Sequence, residues 1–395
     1  MTDPWDRFVR ESSGAEVAGY LERPGEAGRD GSAVWFRDPE RVLTVRRDAS
    51  PEELGAEIDR FLVASPRAGV AGYLGFDAVG LFEPALRTFP SGSPFPLGEL
   101  ALAPRLSSAA VPTQLRRPAR PMRTGRPVAD SLPRPRFERS VARLIEAIRA
   151  GEAFQVVLAH RRSWPRPHDL LERAGELRRR ERFTCFYYLR FGDRELVGAS
   201  PESVADVAGP DATIDPIAGT IPRGARRGRR PLRVDPKELC EHRMLVDLAR
   251  NDLGRVARTG TVRLLWRERL VRYAALEHLV SRVGARLGPE TRAWDVLAAT
   301  FPAGTVSGAP KIRATELLRD EERSWRGPYG GTIALLRPRR RASFALAIRS
   351  AFASGRTLHT AAGAGIVHRS EPAREFQETL AKLAIVEGTL VGEGA

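Results

Sequence analysis

Four glutamates stand in two pairs: Glu238 and Glu241, three residues apart, and Glu375 and Glu378, three apart with Lys382 four further on. On a helix such spacings bring side chains onto one face. The first pair follows Asp235-Pro236-Lys237, which reads as a helix start, with Asp235 as N-cap, proline at the first helical position and glutamate at the third. The second pair lies on a helix expected to begin near Ser370 or Glu371. Four carboxylates on two helices would suit a divalent cation. Mg²⁺ needs only one or two of them directly, since it keeps waters and takes further oxygens from its substrate. The same spacing also fits a solvated helix face with a routine Glu378–Lys382 pair, and these residues alone leave both readings open.

A second group of residues could hold an anion. Arg349 is read at the end of an apolar strand, where its fork would match a carboxylate-bearing ligand. AAGAGIV (361–367) places Gly363 and Gly365 where backbone N–H groups could approach a carboxylate closely. FPAGTVSGAPK (301–311) echoes a phosphate loop, but Pro310 interrupts it before Lys311 and no Ser or Thr follows, so a nucleotide site is set aside. Only three of the sixty-four basic residues are lysine, namely Lys237, Lys311 and Lys382, and the rest are arginine. Ammonium and guanidinium are not interchangeable where geometry is demanding, so each lysine marks a place where shape matters.

These groups need elements to position them. Val141, Leu144, Ile145 and Ile148 recur at helical spacing, and Gly151 follows as a C-terminal cap. VVLA (156–159), FTCFYYLRF (183–191), LVGAS (196–200) and segments 331–336, 344–350 and 363–367 read as strands. Earlier, Ala33–Phe36 and Val42–Val45 are short apolar stretches, and GVAGYLGFDAVGLFEP (69–84) reads as strand, turn and helix start. Strands arriving in pairs predict a mixed α+β fold. Residues 104–135, with seven prolines, form a connector between a short N-terminal subdomain (1–103) and a catalytic domain (136–390).

The bulk composition narrows the function class. The length of 395 residues allows one large domain or two to three small ones. No apolar run is long enough to span a membrane, MTDPWDRFVRESS lacks the marks of a signal peptide, and Cys185 and Cys240 make no metal-spaced set. A cytoplasmic location is expected. A net charge of +15 invites a nucleic-acid reading, with arginine clustered at 223–233 and 337–341. No aromatics are interleaved and no nucleic-acid motif occurs, so a solvated arginine-rich surface is expected instead, with no nucleic-acid or membrane partner.

Taken together, GEAFQVVLAHR, VGASPES, DPIAGTIPRG, DPKELCEHRMLVDLARNDLG, LEHLVSRVGARL, FPAGTVSGAPKIRATELL, RGPYGG, FALAIRS and AAGAGIV…EPAREFQETLAK resemble the chorismate-utilising enzymes typified by anthranilate synthase component I. The motifs run in order from about residue 137 to 386, and the glycine-tyrosine segment at 69–84 extends the resemblance weakly toward residue 33. The resemblance implies two large packed antiparallel sheets flanked by helices, an active site in the cleft between them, chorismate as substrate and Mg²⁺ as cofactor. Glu241 and Glu378 would hold Mg²⁺ against the ring carboxylate, with Glu238 and Glu375 supporting through water. Glu202 would be the general acid at the departing C4 hydroxyl, and Arg349 with the Gly363–Gly365 backbone would hold the enolpyruvyl carboxylate. Thr305, Ala218, Gly219 and Thr220 would line the ring pocket, Lys382 would sit beside the metal carboxylates, and His278 would serve the later elimination.

Two positions subdivide the family. Relatives that add water at C2 carry a lysine base where this chain has Gln155, and a neutral amide cannot deprotonate water, whereas ammonia needs no base. Relatives making 4-amino-4-deoxychorismate usually carry a nucleophilic lysine where this chain has Ala218. The expected reaction is therefore C2 amination with pyruvate elimination to anthranilate, of the tryptophan branch. The alternatives are 4-amino-4-deoxychorismate, 2-amino-2-deoxyisochorismate and, remotely, an inactive basic binding protein. No amidotransferase segment is present, so use of glutamine would need a glutamine amidotransferase subunit. The family's Leu-Glu-Ser feedback motif is replaced by YLERP (20–24), Glu277 stands where methionine is usual and Ile221 where arginine is usual, so weak or absent tryptophan inhibition is expected.

Overall fold

Apolar runs bounded by turn residues become strands throughout the structure, a computed structural model that describes residues 3–24, 31–87, 92–111, 125–181, 183–222, 236–272 and 276–391. For 218–222, 236–238, 241, 271–272 and 276–278 only the backbone is described. VVLA opens the long strand Gln155–Pro165, buried on both faces where the run is continuously apolar. FTCFYYLRF and LVGAS become Cys185–Phe191 and Arg194–Ser200, and 331–336 becomes Thr332–Arg337. The strand expected at 363–367 is the end of a longer one, Thr357–Ile366.

One strand reading is corrected. Segment 344–350 divides into Arg341–Leu346 and Ser350–Ser354, which lie in different sheets. Between them the backbone is diverted to other partners. Gly330 N–H donates to the Ala347 carbonyl at 2.9 Å, Ala347 N–H to Gly331 at 2.9 Å, and Ala199 N–H to Arg349 at 3.1 Å. Arg349 thus does not end a strand. It sits in a crossing segment with φ of +52°, the left-handed region that a side chain rarely adopts.

Among the described residues every strand pairing is antiparallel, and the strands form two ten-stranded sheets. The first runs Gly308–Ala309, Gln155–Pro165, Thr357–Ile366, Ser350–Ser354, Arg194–Ser200, Cys185–Phe191, Val17–Arg23, Gly31–Arg37, Ser107–Val111, with Ala129–Asp130 beside Gln155–Pro165. The second runs Ile217–Pro222, Leu276–Arg286, Asp211–Ile214, Ser203–Ala208, Arg341–Leu346, Thr332–Arg337, Gly69–Leu74, Gly98–Ala103, Arg41–Val45, with Arg263–Arg272 beside Leu276–Arg286. Strands from the first 111 residues therefore sit in both sheets.

Alternating side chains explain the layers. Leu21, Val34, Tyr187, Leu189 and Phe352 of the first sheet meet Ala71, Tyr73, Ala101, Ile333 and Leu335 of the second in a shared core. The outer face of the second sheet is covered by the helices Pro51–Ala64, Pro236–Gly254 and Ala293–Thr300. The outer face of the first sheet is covered by Pro4–Glu11, Leu170–Arg180 and Pro372–Leu390, and toward Gln155–Pro165 by Arg134–Arg149 and Lys311–Glu322. The Arg134–Arg149 helix buries Phe137, Val141, Leu144, Ile145 and Ile148, each such burial being worth about 1.5–3 kcal/mol. It stops at Gly151, whose φ of +84° suits glycine, and the chain turns there to begin the strand headed by Gln155. No described helix is long and apolar enough to cross a membrane.

Candidate active site

The chain passes from the first sheet to the second at one short segment, and Glu202 occupies it. Ser200 closes a first-sheet strand, Ser203 opens a second-sheet strand, and Pro201-Glu202 lies between. The crossing is fastened on both sides: Ser200 Oγ donates to the Glu202 carbonyl at 3.1 Å, and Leu346 N–H donates to it at 3.0 Å. The return crossing is Ala347–Arg349, tied to the first sheet by the Ala199–Arg349 bond. Both crossings therefore lie at one junction of the two sheets.

Thr305 Oγ1 donates to Glu202 Oε1 at 2.6 Å. Burial pushes the Glu202 carboxyl up to about 7, against the Thr305 hydrogen bond and the positive charge of Lys382, which both favour the carboxylate. A carboxyl held protonated near neutrality can deliver a proton, which is the requirement for a general acid. Thr305 is brought there by the segment between the Ala293–Thr300 helix and Gly308–Ala309, which pairs with Gln155 and Val156.

Lys382 ties the C-terminal helix to the strand Thr357–Ile366. Its Nζ donates to the Gly363 carbonyl at 2.8 Å and pairs with Glu378 Oε1 at 2.6 Å. Glu375 and Glu378 share the helix Pro372–Leu390, as the spacing predicts, and Glu378 is 51% exposed. Gly365 lies against Gln155: a Cβ there would stand 2.6 Å from Gln155 Nε2, so the glycine makes room for the amide. Arg349, half-buried, makes no side-chain hydrogen bond or ion pair among the described residues. Burial lowers its affinity for the proton, opposed by Tyr329, Glu181 and Glu378, and such a guanidinium is a ready seat for an anionic ligand.

The structure thus brings together Glu202, Thr305, Lys382, Glu378, Gln155, Gly363, Gly365 and Arg349, with Glu375 on the same helix as Glu378 and Lys382. Tyr329 joins them, with no role assigned to it in advance. It is buried, its hydroxyl lies beside the Gly363 amide and within the field of Arg349, and burial pushes it up to about 12. In the sequence it stands between Pro328 and Gly330 in RGPYGG. The side chains of Ala218, Gly219, Thr220, Glu238, Glu241 and His278, and Asp235 as a whole, lie outside the described residues. Their backbones, Asp235 apart, are placed: Thr220 pairs with His278 across Ile217–Pro222 and Leu276–Arg286, with a register shift between Ala218 and Thr220. The Pro236–Gly254 helix, which carries Glu238 and Glu241, packs on these two strands.

Among the described residues no group of three or more Asp, Glu, His or Cys is arranged to hold a metal. The donor set proposed for one fits its chemistry all the same. It consists wholly of carboxylates, the hard oxygen ligands that Mg²⁺ prefers, and Glu378 has one oxygen beyond its pair with Lys382.

Residues 20–387 match the family model described as chorismate binding enzyme. The chain is 38% identical over 365 residues to anthranilate synthase component 1 of Streptomyces coelicolor, a match covering 80% of this chain and 71% of that protein. It is 42% identical over 265 residues to the 2-amino-4-deoxychorismate synthase of Streptomyces globisporus, covering 65% of this chain and 53% of that one, so it spans about half the latter's length. The crystal structure of anthranilate synthase component I from Streptococcus pneumoniae superposes with a TM-score of 0.78 at 28% identity, covering 91% of this chain and 92% of that one. A putative 2,3-dihydroxybenzoate-specific isochorismate synthase from Bacillus anthracis has the same fold, with a TM-score of 0.78 at 20% identity and coverage of 98% and 99%.

Proposed function

This chain belongs to the chorismate binding enzyme family and is a chorismate-utilising enzyme, and from that premise we propose that it aminates chorismate at C2 with ammonia, expels the C4 hydroxyl and eliminates pyruvate to give anthranilate. The carrying observation is Glu202, a carboxyl pushed up to about 7 by burial and oriented by Thr305 at 2.6 Å. As ammonia forms its bond at C2, the ring double bonds shift and the C4–O bond breaks, and the Glu202 proton leaves with the hydroxyl as water. Arg349 and the backbone at Gly363 and Gly365 hold the enolpyruvyl carboxylate, turning an unpaired guanidinium into a fork for an anion. Glu241 and Glu378, backed by Glu238 and Glu375, would hold Mg²⁺, which supplies positive charge for the ring carboxylate. Lys382 fixes the rotamer of Glu378 and anchors it to the Gly363 carbonyl. Ala218, Gly219 and Thr220 line the ring, and His278 serves the proton transfer of the elimination.

Gln155 supports an amine rather than water as nucleophile, because its amide cannot act as a base. Ammonia delivered from glutamine would come from a separate amidotransferase subunit. A second reading, a synthase that stops after C2 amination, is favoured by the 42% identity to a protein named 2-amino-4-deoxychorismate synthase. Incubation with chorismate, Mg²⁺ and ammonium separates the two: fluorescent anthranilate with released pyruvate supports the first, and an aminated product retaining its enolpyruvyl group supports the second. Ala218→Lys fills the ring pocket and is expected to depress C2 amination; an unchanged rate would count against that placement.

A further inference from the structure

Glu202 must regain a proton after every turnover. The Glu202–Thr305 pair borders a cavity of about 40 Å³ between the second sheet, the Pro236–Gly254 helix and the segment 300–305. That volume holds about two waters, and a buried water needs two to four polar partners. Its polar walls are Glu202, Thr305, Ser203, Asp215, Thr300 and Asp252, set among Val204, Leu245, Leu248, Ala249 and Ala303.

Asp252 has no part in the chemistry described above, yet it is 8% exposed and therefore buried. Its Oδ1 accepts from Lys311 Nζ at 2.8 Å, and Nζ also donates to the Thr300 carbonyl at 3.2 Å. Oδ2 has no hydrogen-bond partner among the described residues and belongs to a residue that lines the cavity. Burial raises the Asp252 carboxyl while Lys311 opposes the rise, so the group lies nearer to proton exchange than an exposed aspartate. This is the demanding place that Lys311 marks: a buried ammonium holding one oxygen of a carboxylate that lines the cavity.

We propose that this cavity is a back-door proton relay to the general acid, with Asp252 as its positioning residue and Lys311 holding Asp252 in place. The inference rests on the assignment of Glu202 as the acid that expels the C4 hydroxyl. In the relay, Glu202 loses its proton to the departing hydroxyl as the C4–O bond breaks, and water forms. A cavity water then gives a proton to the Glu202 carboxylate and is itself reprotonated through the water at Asp252. The proton shed by the newly bonded ammonium at C2 restores the balance with solvent, so no oxidant, reductant or further reactant is needed.

The relay acts between turnovers, so it separates the first turnover from those that follow. Ala249→Leu places an apolar side chain in the cavity without touching a charge, and Asp252→Asn removes the proton-exchanging group while keeping an oxygen for Lys311. In rapid-quench experiments with chorismate, Mg²⁺ and ammonium, the first equivalent of product is expected at the wild-type rate in both variants. Later turnovers are expected to slow by about tenfold, part of the roughly hundredfold or more that a general acid contributes. KM for chorismate should be little changed, and a larger solvent deuterium isotope effect should appear on kcat. First and later turnovers slowed in step would indicate a structural role and overturn the relay, as would wild-type steady-state rates in both variants. Wild-type conversion of chorismate in the same assay checks the underlying reading, so failure of the relay is seen as equal rates in an active enzyme.

Discussion

Glu202 shows how burial converts an ordinary carboxyl into an acid usable near neutrality. Its working form is protonated and its carboxyl is pushed up to about 7. At constant free ammonia, kcat should therefore be level below about pH 7 and fall roughly tenfold per unit above it, as the acid is lost. Glu202→Gln is expected to lower kcat by about 10²–10⁴ with little change in KM, because a general acid acts in the transition state. A level pH profile through pH 9 would remove Glu202 from the acid role. Arg349 belongs to binding instead: a charged hydrogen bond is worth about 1.5–3 kcal/mol, so Arg349→Ala should raise KM for chorismate by roughly ten- to a hundredfold. Initial-rate kinetics at fixed Mg²⁺ read this directly, and an unchanged KM would count against the anion seat.

At the scale of elements, the site depends on where strands end and cross rather than on any single motif. Gly365 lies on the strand Thr357–Ile366, paired with Val157, with the Gln155 side chain against it, and Gly365→Ala would bring a methyl 2.6 Å from the end of the Gln155 amide. That amide is the far end of a flexible side chain, so stability should change little while KM and the rate suffer from its displacement. Equal kinetics in Gly365→Ala would show that Gln155 is not held at the site. Phe137→Ala, under the Arg134–Arg149 helix, should instead cost about 3–5 kcal/mol of stability in denaturant titration. Such elements were legible in the sequence wherever the pattern was strong: the Val141–Ile148 face, the VVLA strand and the Glu375–Glu378 helix all lie in elements of the kind that was read. Arg349 was misplaced because a continuous apolar run hides a crossing. Ala342–Ile348 is apolar but for Ser343, and hydrogen bonds with Gly330, Gly331 and Glu202, and of Arg349 with Ala199, all distant in sequence, divert its backbone. Tyr329 and Asp252 were passed over for a related reason, since burial and a lysine partner arise from tertiary contacts that no local pattern encodes.

For the molecule as a whole, two sheets packed face to face leave a junction where both crossings, the C-terminal helix and the 300–311 segment converge. Strands from both ends of the chain interleave in both sheets, and the outer-face helix Pro372–Leu390 carries Glu375, Glu378 and Lys382. A metal bound there would serve the reaction rather than the core. Chelation with EDTA should therefore abolish turnover while moving the thermal midpoint by only a few degrees, and Mg²⁺ should restore the rate; full activity in excess chelator would overturn the metal assignment. The net charge of +15 is spread over arginines, many of them in surface ion pairs of little energetic weight. The central claim, that this junction aminates chorismate at C2, is tested most directly by mixing the protein with chorismate, Mg²⁺ and concentrated ammonium at mildly alkaline pH and resolving products by mass and fluorescence. The account predicts anthranilate and an equal amount of pyruvate. A product carrying its nitrogen at C4, or chorismate left intact, would contradict it.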